Sequence, residues 1–382
     1  MKDIHGLLEM AIRHKASDVV IKAGSAPALR VYGKIVRTDL PPLSAVDTHE
    51  LVYNIIASAG RDYLLLRRSQ RSPLIDDGDD DDVLGTEALL KRLEDGEELD
   101  LSFTVPNMLR VRANLYLQRG CMGAALRIIP LKPLQIEELG LPLVLRDLAN
   151  QPQGLVLVTG PTGSGKSTTL AAMIDYINST RPCNIVTIED PVEYLFEDNR
   201  SIINQREIGT DTRSFSTALT SVLRQTPDVI MIGEMRDAET MSVAMAAAEV
   251  GHLVLSTLHT TSAANTVERI ISAFPPHERS QVQIQLATSL QGVISQKLIT
   301  RADGRGRVPA VEVMIASPTV KKQIEDGTPD QLYASIREGQ HFGMNTMNQA
   351  LANLYYRNLI SYEDALAHAG NYTELKQMLR RV

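Results

Sequence analysis

Residues 154–170 read GLVLVTGPTGSGKSTTL, and GPTGSGKST at 160–168 meets the phosphate-loop pattern G-x-x-x-x-G-K-[ST] at every fixed position. The apolar run Leu155–Thr159 ahead of it reads as a buried strand. Behind it Leu170, Met173, Ile174 and Ile177 recur at i, i+3, i+4 and i+7, one buried face of a helix. Strand, glycine-rich turn and helix in that order are the context the pattern requires. Gly160, Gly163 and Gly165 allow positive φ, so backbone N–H groups can approach an anion with no Cβ in the way. Pro161, Thr162 and Ser164 complete the loop. Lys166 is expected to reach the β- and γ-phosphates of ATP and Ser167 to offer its hydroxyl to Mg²⁺. Thr168 continues a helix whose positive dipole end faces the phosphates.

Outward from this stretch the pattern repeats. NIVTI at 184–188, VIMIG at 229–233 and HLVLST at 252–257 are short, nearly continuous apolar runs separated by helix-like segments. Such runs belong to parallel strands covered on both faces, so the expected class is α/β. The first 130 residues differ: PALRVYGKIV and LSFTV alternate, which indicates an antiparallel sheet with helices, an α+β module. Residues 131–152, LKPLQIEELGLPLVLRDLANQP, carry prolines near both ends and read as a linker followed by a short helix. The nucleotide-binding core is expected over 153–300 and a helical C-terminal region over 301–382. There Met344, Met347, Leu351 and Leu354 fall on one helix face.

Hydrolysis needs carboxylates near the γ-phosphate. IVTIEDPVEY ends a strand at Glu189, and VIMIGEMRD ends one just before Glu234. Both acids therefore sit at the carboxyl edge of a parallel sheet, where open α/β folds bind ligands. Gly233 stands where an ordinary Walker B strand has its magnesium-linked aspartate. Glu189 and Glu234 are thus expected to share metal orientation and water activation, with Ser167 and Glu234 on the metal. GHLVLSTLHTTSAANTVERI places His252 before a buried strand and His259 after it. His259, at the carboxyl end, is the candidate γ-phosphate sensor; for His252 a structural role is the equal alternative.

Composition narrows the possibilities. There are 39 basic and 46 acidic residues, a net charge of -7, with 4% aromatics and no Trp. This disfavours a nucleic-acid translocase, which needs a basic stripe and stacking platforms. Two cysteines, Cys121 and Cys183, exclude a disulfide framework and a four-cysteine zinc site. A reducing cytoplasm suits them. MKDIHGLLEMAIRHK lacks the apolar core of a signal peptide, and no run approaches the length of a membrane span, so direct membrane insertion is not expected. RRSQRSPLIDDGDDDDVLGTEALL, at 67–90, has an acidic segment at about 67–86 that is expected to be a solvated surface insertion. An ATP-binding regulator without hydrolysis would share the loop but could dispense with Glu189, Glu234 and His259.

IEDPVEY, LRQTPDVIMIGEMRDAET, GHLVLSTLHTTSAANT and SLQGVISQKL resemble the Asp box, Walker B and His box of the secretion ATPase superfamily, specifically its PilT-type pilus retraction ATPases. The resemblance covers nearly the whole chain and implies a RecA-like ATPase domain. ASDVVIKAGSAPALRVYGKIV resembles that family's N-terminal PAS-like domain. LDLSFTVPNMLRVRANLYLQRGCMGAALRIIP resembles the stretch that supplies arginines across a subunit interface, which assigns that role to Arg112 and Arg127, with Arg110 and Arg119 as neighbours. SIREGQHFGMNTMNQAL, at 335–351, resembles the C-terminal region associated with retraction, although Ser335, Glu338 and Gln340 depart from it. The resemblance further implies a homohexamer at the cytoplasmic face of the inner membrane, a PilC-like platform protein as partner, and the pilin fibre as indirect substrate. A PilU-like ATPase is a further partner. An accessory PilU-like role, or an assembly or type II secretion ATPase, is the alternative function. The missing tetracysteine module favours retraction.

Overall fold

The structure, a computed structural model, describes residues 3–70, 81–106, 108–129 and 132–380. The chain divides into two compact units, Met1–Leu131 and Lys132–Val382; the first ends one residue beyond the expected boundary at 130.

The first unit carries α1 (Ile4–Arg13), β1 (Ala16–Lys22), β2 (Ala28–Val31), β3 (Lys34–Arg37), α2 (Ala45–Gln70), α3 (Asp81–Glu94), β4 (Leu99–Val105), β5 (Leu109–Gln118) and β6 (Cys121–Ile129). Among the described residues, six strands form one antiparallel sheet in the order β3-β2-β1-β6-β5-β4. Along β5, Leu109, Val111, Ala113 and Leu115 are buried, and Arg110, Arg112 and Asn114 take the alternate positions. The buried set packs with Leu7, Leu51, Ile55 and Phe103. The β5–β6 hairpin turns on Arg119 and Gly120, both at positive φ (52° and 72°), the two-residue turn whose twist matches its strands. Of the acidic segment expected at 67–86, the two ends are helical, in α2 and α3, and residues 71–80 lie outside those described.

The second unit begins with α4 (Val144–Ala149), β7 (Gly154–Thr159), α5 (Lys166–Thr180), β8 (Asn184–Glu189), β9 (Ile202–Glu207), α6 (Phe215–Val222) and β10 (Val229–Ile232). It continues with α7 (Ala238–Glu249), β11 (Leu253–Leu258), α8 (Ala263–Ser272), α9 (Arg279–Ser289), β12 (Leu290–Thr300) and β13 (Arg307–Ile315). It closes with α10 (Pro318–Glu325), α11 (Leu332–Glu338), α12 (Met347–Tyr356), α13 (Tyr362–Ala367) and α14 (Tyr372–Leu379). The sheet order is β13-β12-β7-β11-β10-β8-β9, parallel throughout except for the β12–β13 pair. β7, β8, β10 and β11 are buried on both faces between two apolar layers, one containing Leu155, Leu157 and Ile188, the other Val156, Val158 and the α5 residues Leu170, Met173, Ile174 and Ile177.

Two expectations need correction. The core does not end at 300. β13 continues its sheet, pairing with β12 from Gly292↔Ile315 to Thr300↔Arg307. Residues 301–306 form the turn of this hairpin, with Gly304 and Gly306 at positive φ, and Pro309 is tolerated because β13 is an edge strand. The expected helix face also loses a member: α12 begins at Met347, and Met344 lies before it, packed in the layer of Ile324 and Ile336 rather than with Leu351 and Leu354.

Ile188 is fully buried immediately before Glu189. Urea unfolding should show Ile188→Ala costing about 2–5 kcal/mol and Ile188→Val about 0.5–1.5 kcal/mol. Losses under about 0.5 kcal/mol for both would contradict this packing.

Candidate active site

The phosphate loop hangs between β7 and α5 and is braced from β12. Thr159 and Ser295 share a buried hydroxyl–hydroxyl hydrogen bond of 2.8 Å. The Gln296 amide donates to the Ser164 carbonyl at 2.9 Å and accepts from Thr169 Oγ1 at 2.7 Å. One side chain thus ties the loop to the first turn of its helix. This proximity requires Gly160 and Gly165: at φ 147° and 92°, a Cβ would fall 2.4 Å from the Gln296 carbonyl oxygen and 2.8 Å from its amide nitrogen, respectively. Lys166 lies buried in the loop, its Nζ donating to the Gly160 and Pro161 carbonyls at 2.9 and 3.2 Å. Burial lowers its pKa, and the Glu234 and Glu193 carboxylates oppose that shift. Ser167 and Thr162 are exposed, and Thr168 shares a 3.1 Å hydrogen bond with the Tyr194 hydroxyl.

The carboxyl ends of the parallel strands supply the other groups. Glu189, 7% exposed, accepts from Thr187 Oγ1 at 2.7 Å, Gln205 Nε2 at 3.1 Å and the Glu193 N–H at 3.4 Å. Burial nevertheless raises its pKa above the ordinary carboxylate value, because desolvation outweighs these donors. Gln205 also donates to the Tyr194 carbonyl and accepts from the Phe196 N–H, fixing the segment after Glu189. Glu234 has the opposite electrostatics. Although burial pushes its pKa up, Arg236 and then His259 outweigh it, and the net shift is downward. Arg236 is ion-paired with it, and His259 Nε2 lies 3.3 Å from its Oε2. Gly233 donates its N–H to the Ile188 carbonyl at 2.8 Å, and its own carbonyl accepts from Thr257 Oγ1 at 2.6 Å.

The structure therefore gathers Glu189, Glu234, His259 and the loop along one edge of one sheet. His252 lies elsewhere: at the amino end of β11, its Nδ1 is 2.8 Å from the Pro227 carbonyl, a structural tie. In the first unit, Arg112 pairs in register with Arg127 across β5 and β6. Arg127 Nε and Arg30 Nε flank Asp18 at 3.3 and 3.4 Å, and Arg110 donates to Thr104. Arg119 stands at the hairpin turn, away from that row. Sequence reasoning passed over Gln296, Ser295, Gln205 and Tyr194. Ser295 and Gln296 carried a signal: with Lys297 they make three polar residues inside the apolar run VISQKLI, which a buried strand accepts only when they have partners.

Comparison with known proteins gives this arrangement its relatives. The family model described as Type II/IV secretion system protein matches residues 87–359. The chain is 44% identical to the Type IV pilus retractation ATPase PilT of Pseudomonas aeruginosa over 363 residues, 95% of this chain and 97% of that protein. It is 37% identical to the Type IV pilus ATPase PilU of the same organism over 374 residues, 98% of this chain and 90% of that one. Among solved structures, the crystal structure of the pilus retraction motor PilT with bound ADP superposes with a TM-score of 0.80 at 41% identity, covering 98% of this chain and 99% of that one. A phosphate loop braced from the neighbouring strand, two acids of opposite pKa shift at one sheet edge and this near full-length similarity lead to one conclusion: the chain is a P-loop ATPase belonging to the type II/IV secretion system protein family.

Proposed function

We propose that this protein is the motor of type IV pilus retraction, hydrolysing ATP in a ring of six copies on the cytoplasmic face of the inner membrane. Acting on a PilC-like platform protein, it withdraws pilin from the fibre base. The observation that carries the reading is its similarity to PilT along almost the whole of both chains, at higher identity than to PilU. A PilU-like ATPase would assist rather than replace it.

The residues divide the chemistry by their electrostatics. Backbone N–H groups of residues 162, 163 and 165–168 and the Lys166 ammonium hold the β- and γ-phosphates. When bound with ATP, Mg²⁺ would supply positive charge to the triphosphate. Ser167 and Glu234 fit it, one an exposed hydroxyl at the start of α5, the other a carboxylate kept charged by Arg236; magnesium takes one or two such ligands and keeps waters for the rest. Glu189, with its raised pKa, takes the proton of the attacking water. His259, bonded to Glu234, faces the γ-phosphate and registers its loss. Arg112 and Arg127 are supplied to the site of an adjacent copy, where fixed positive charge stabilises the transferring phosphoryl group.

Lys166→Ala should abolish nucleotide binding, whereas Glu234→Gln should bind ATP within about threefold of wild type yet lose about 10²-fold or more in turnover. In the source cell, the Lys166→Ala allele should leave surface pili and stop twitching; cells without surface pili would overturn retraction in favour of an assembly motor.

The pH dependence distinguishes the two acids. Because the Glu189 pKa is raised, Glu189 protonates first as pH falls, and turnover should decline through a midpoint above the ordinary carboxylate value of about 4.3 while Glu234 is still charged. Glu189→Gln should be slow and lack that acidic limb. A residual rate that still follows the wild-type limb would move the proton-accepting role to Glu234.

Arg112→Ala or Arg127→Ala chains should each be nearly inactive but regain activity when mixed with Lys166→Ala chains, since mixed interfaces pair an intact loop with an intact arginine. Absence of recovery at every mixing ratio would refute donation between copies.

A further inference from the structure

Outside the phosphate loop and its two acids, another carboxylate is withdrawn from solvent. Glu312, in the middle of β13, is 3% exposed. Its Oε1 accepts from the Ala263 N–H at 2.8 Å and its Oε2 from the Met347 N–H at 3.1 Å. Ala263 is the first residue of α8, and Met347 the first of α12. Both helices already have a cap, Ser262 accepting from the Asn265 N–H and Thr346 from the Gln349 N–H. Such caps leave the N–H of the first helical residue to be satisfied elsewhere. Here those two first-residue donors are met by the two oxygens of one side chain. The starts of two ten-residue helices thus converge on a single carboxyl group; burial raises its pKa, while the two N–H donors and the Lys297 ammonium oppose that shift.

The two helices lead to different places. α8 starts four residues after His259, and Thr260 shares a 2.6 Å hydroxyl–hydroxyl bond with Thr266 within it, so the His259 segment is tied to the helix. α12 follows the segment containing Arg337 and Glu338. Gln349 Nε2 donates to the Arg337 carbonyl at 3.2 Å. Asn345 exchanges backbone hydrogen bonds with Val313 at 2.9 and 3.2 Å, one residue from Glu312. Glu374 of α14 accepts from Asn348 at 2.7 Å and is bonded to the Tyr333 hydroxyl of α11. A shift of α12 would therefore carry α11 and α14 with it. On the opposite side of the hairpin, Ser295, the register partner of Glu312, bonds to Thr159 at the base of the phosphate loop.

We infer that Glu312 is a positioning residue that makes α8 and α12 move together, so that the γ-phosphate state read at His259 reaches the C-terminal helices through this one carboxylate. The inference rests on the reading of His259 as facing the γ-phosphate. It predicts an effect that a purely structural anchor would not produce, namely loss of communication without loss of binding. Glutamine matches glutamate in size but offers one acceptor oxygen and turns an NH₂ toward the other helix's N–H, so Glu312→Gln releases one helix. Ala263→Pro removes the donor on the nucleotide side and sets its Cδ where that N–H met Oε1, so the carboxyl group must turn away from α8. Proline is accepted at the first helical position, and Ser262 already has the extended backbone (φ -150°, ψ 162°) that a following proline requires.

The test is amide hydrogen exchange on the full chain, with and without the non-hydrolysable analogue adenylyl imidodiphosphate and Mg²⁺. In wild type the analogue should slow exchange about tenfold in 259–272 and also in 340–356. In Glu312→Gln and Ala263→Pro the first response should persist while the second shrinks to within about twofold of the nucleotide-free rate. A second response undiminished in both variants would overturn the relay and leave the His259 reading standing. No wild-type response in 259–272 would remove the His259 reading, and the relay with it. Should Glu312→Gln fail to fold, Ala263→Pro decides the matter alone.

Discussion

The amide of Gln296 is the contact on which the rest of the site depends. With one donor and one acceptor it secures the Ser164 carbonyl and the Thr169 hydroxyl, joining the phosphate loop to a strand more than a hundred residues away in sequence. A loop of successive N–H groups binds anions only if those groups already point inward, because ordering them on binding would cost conformational entropy. The brace removes that cost in advance, and the absence of a side chain at Gly160 and Gly165 lets it come close enough. β12 reaches its position by pairing with β7 on one side and β13 on the other, so the C-terminal hairpin is part of the nucleotide site's scaffold.

From that scaffold the chemistry follows the parallel sheet. β7, β8, β10 and β11 run the same way, so whatever follows their last residues meets at one edge. That geometry brings Glu189, Glu234 and His259 beside the loop from three separate segments. Their environments then separate the two acids: burial dominates at Glu189, and the Arg236 and His259 partners dominate at Glu234. Two residues of one type acquire opposite proton affinities without any change in covalent chemistry.

Much of this was legible in the sequence because its signals are local. The loop pattern needs eight consecutive residues, and the buried strands announce themselves as VIMI or LVLSTL. Glu189 and Glu234 were found because strand ends can be read from such runs. Gln296 was not, because its role depends on which strand lies next to β7, and strand order is a long-range property. β13 was missed for a related reason: Pro309 and Glu312 interrupt its apolar run, and only the pairing with β12 and the two helix starts at Glu312 explain why such residues belong there. The α12 face was overextended at Met344 because periodicity does not register the cap at Thr346 that starts the helix later. Arg112 and Arg127 were placed by family resemblance; their shared sheet position became visible only in the register of β5 and β6.

Gly233 limits what this strand end can hold. Its N–H donates to the Ile188 carbonyl, and a Cβ there would sit 3.3 Å from that same oxygen, tighter than side chains ordinarily accept. An aspartate substituted at 233 would require the end of β8, where Glu189 resides, to give by a few tenths of an ångström. Placing an ordinary Walker B acid at 233 would thus disturb the neighbouring acid in the same step, so the close strand spacing and the displacement of the acid by one residue to Glu234 are two sides of one packing choice.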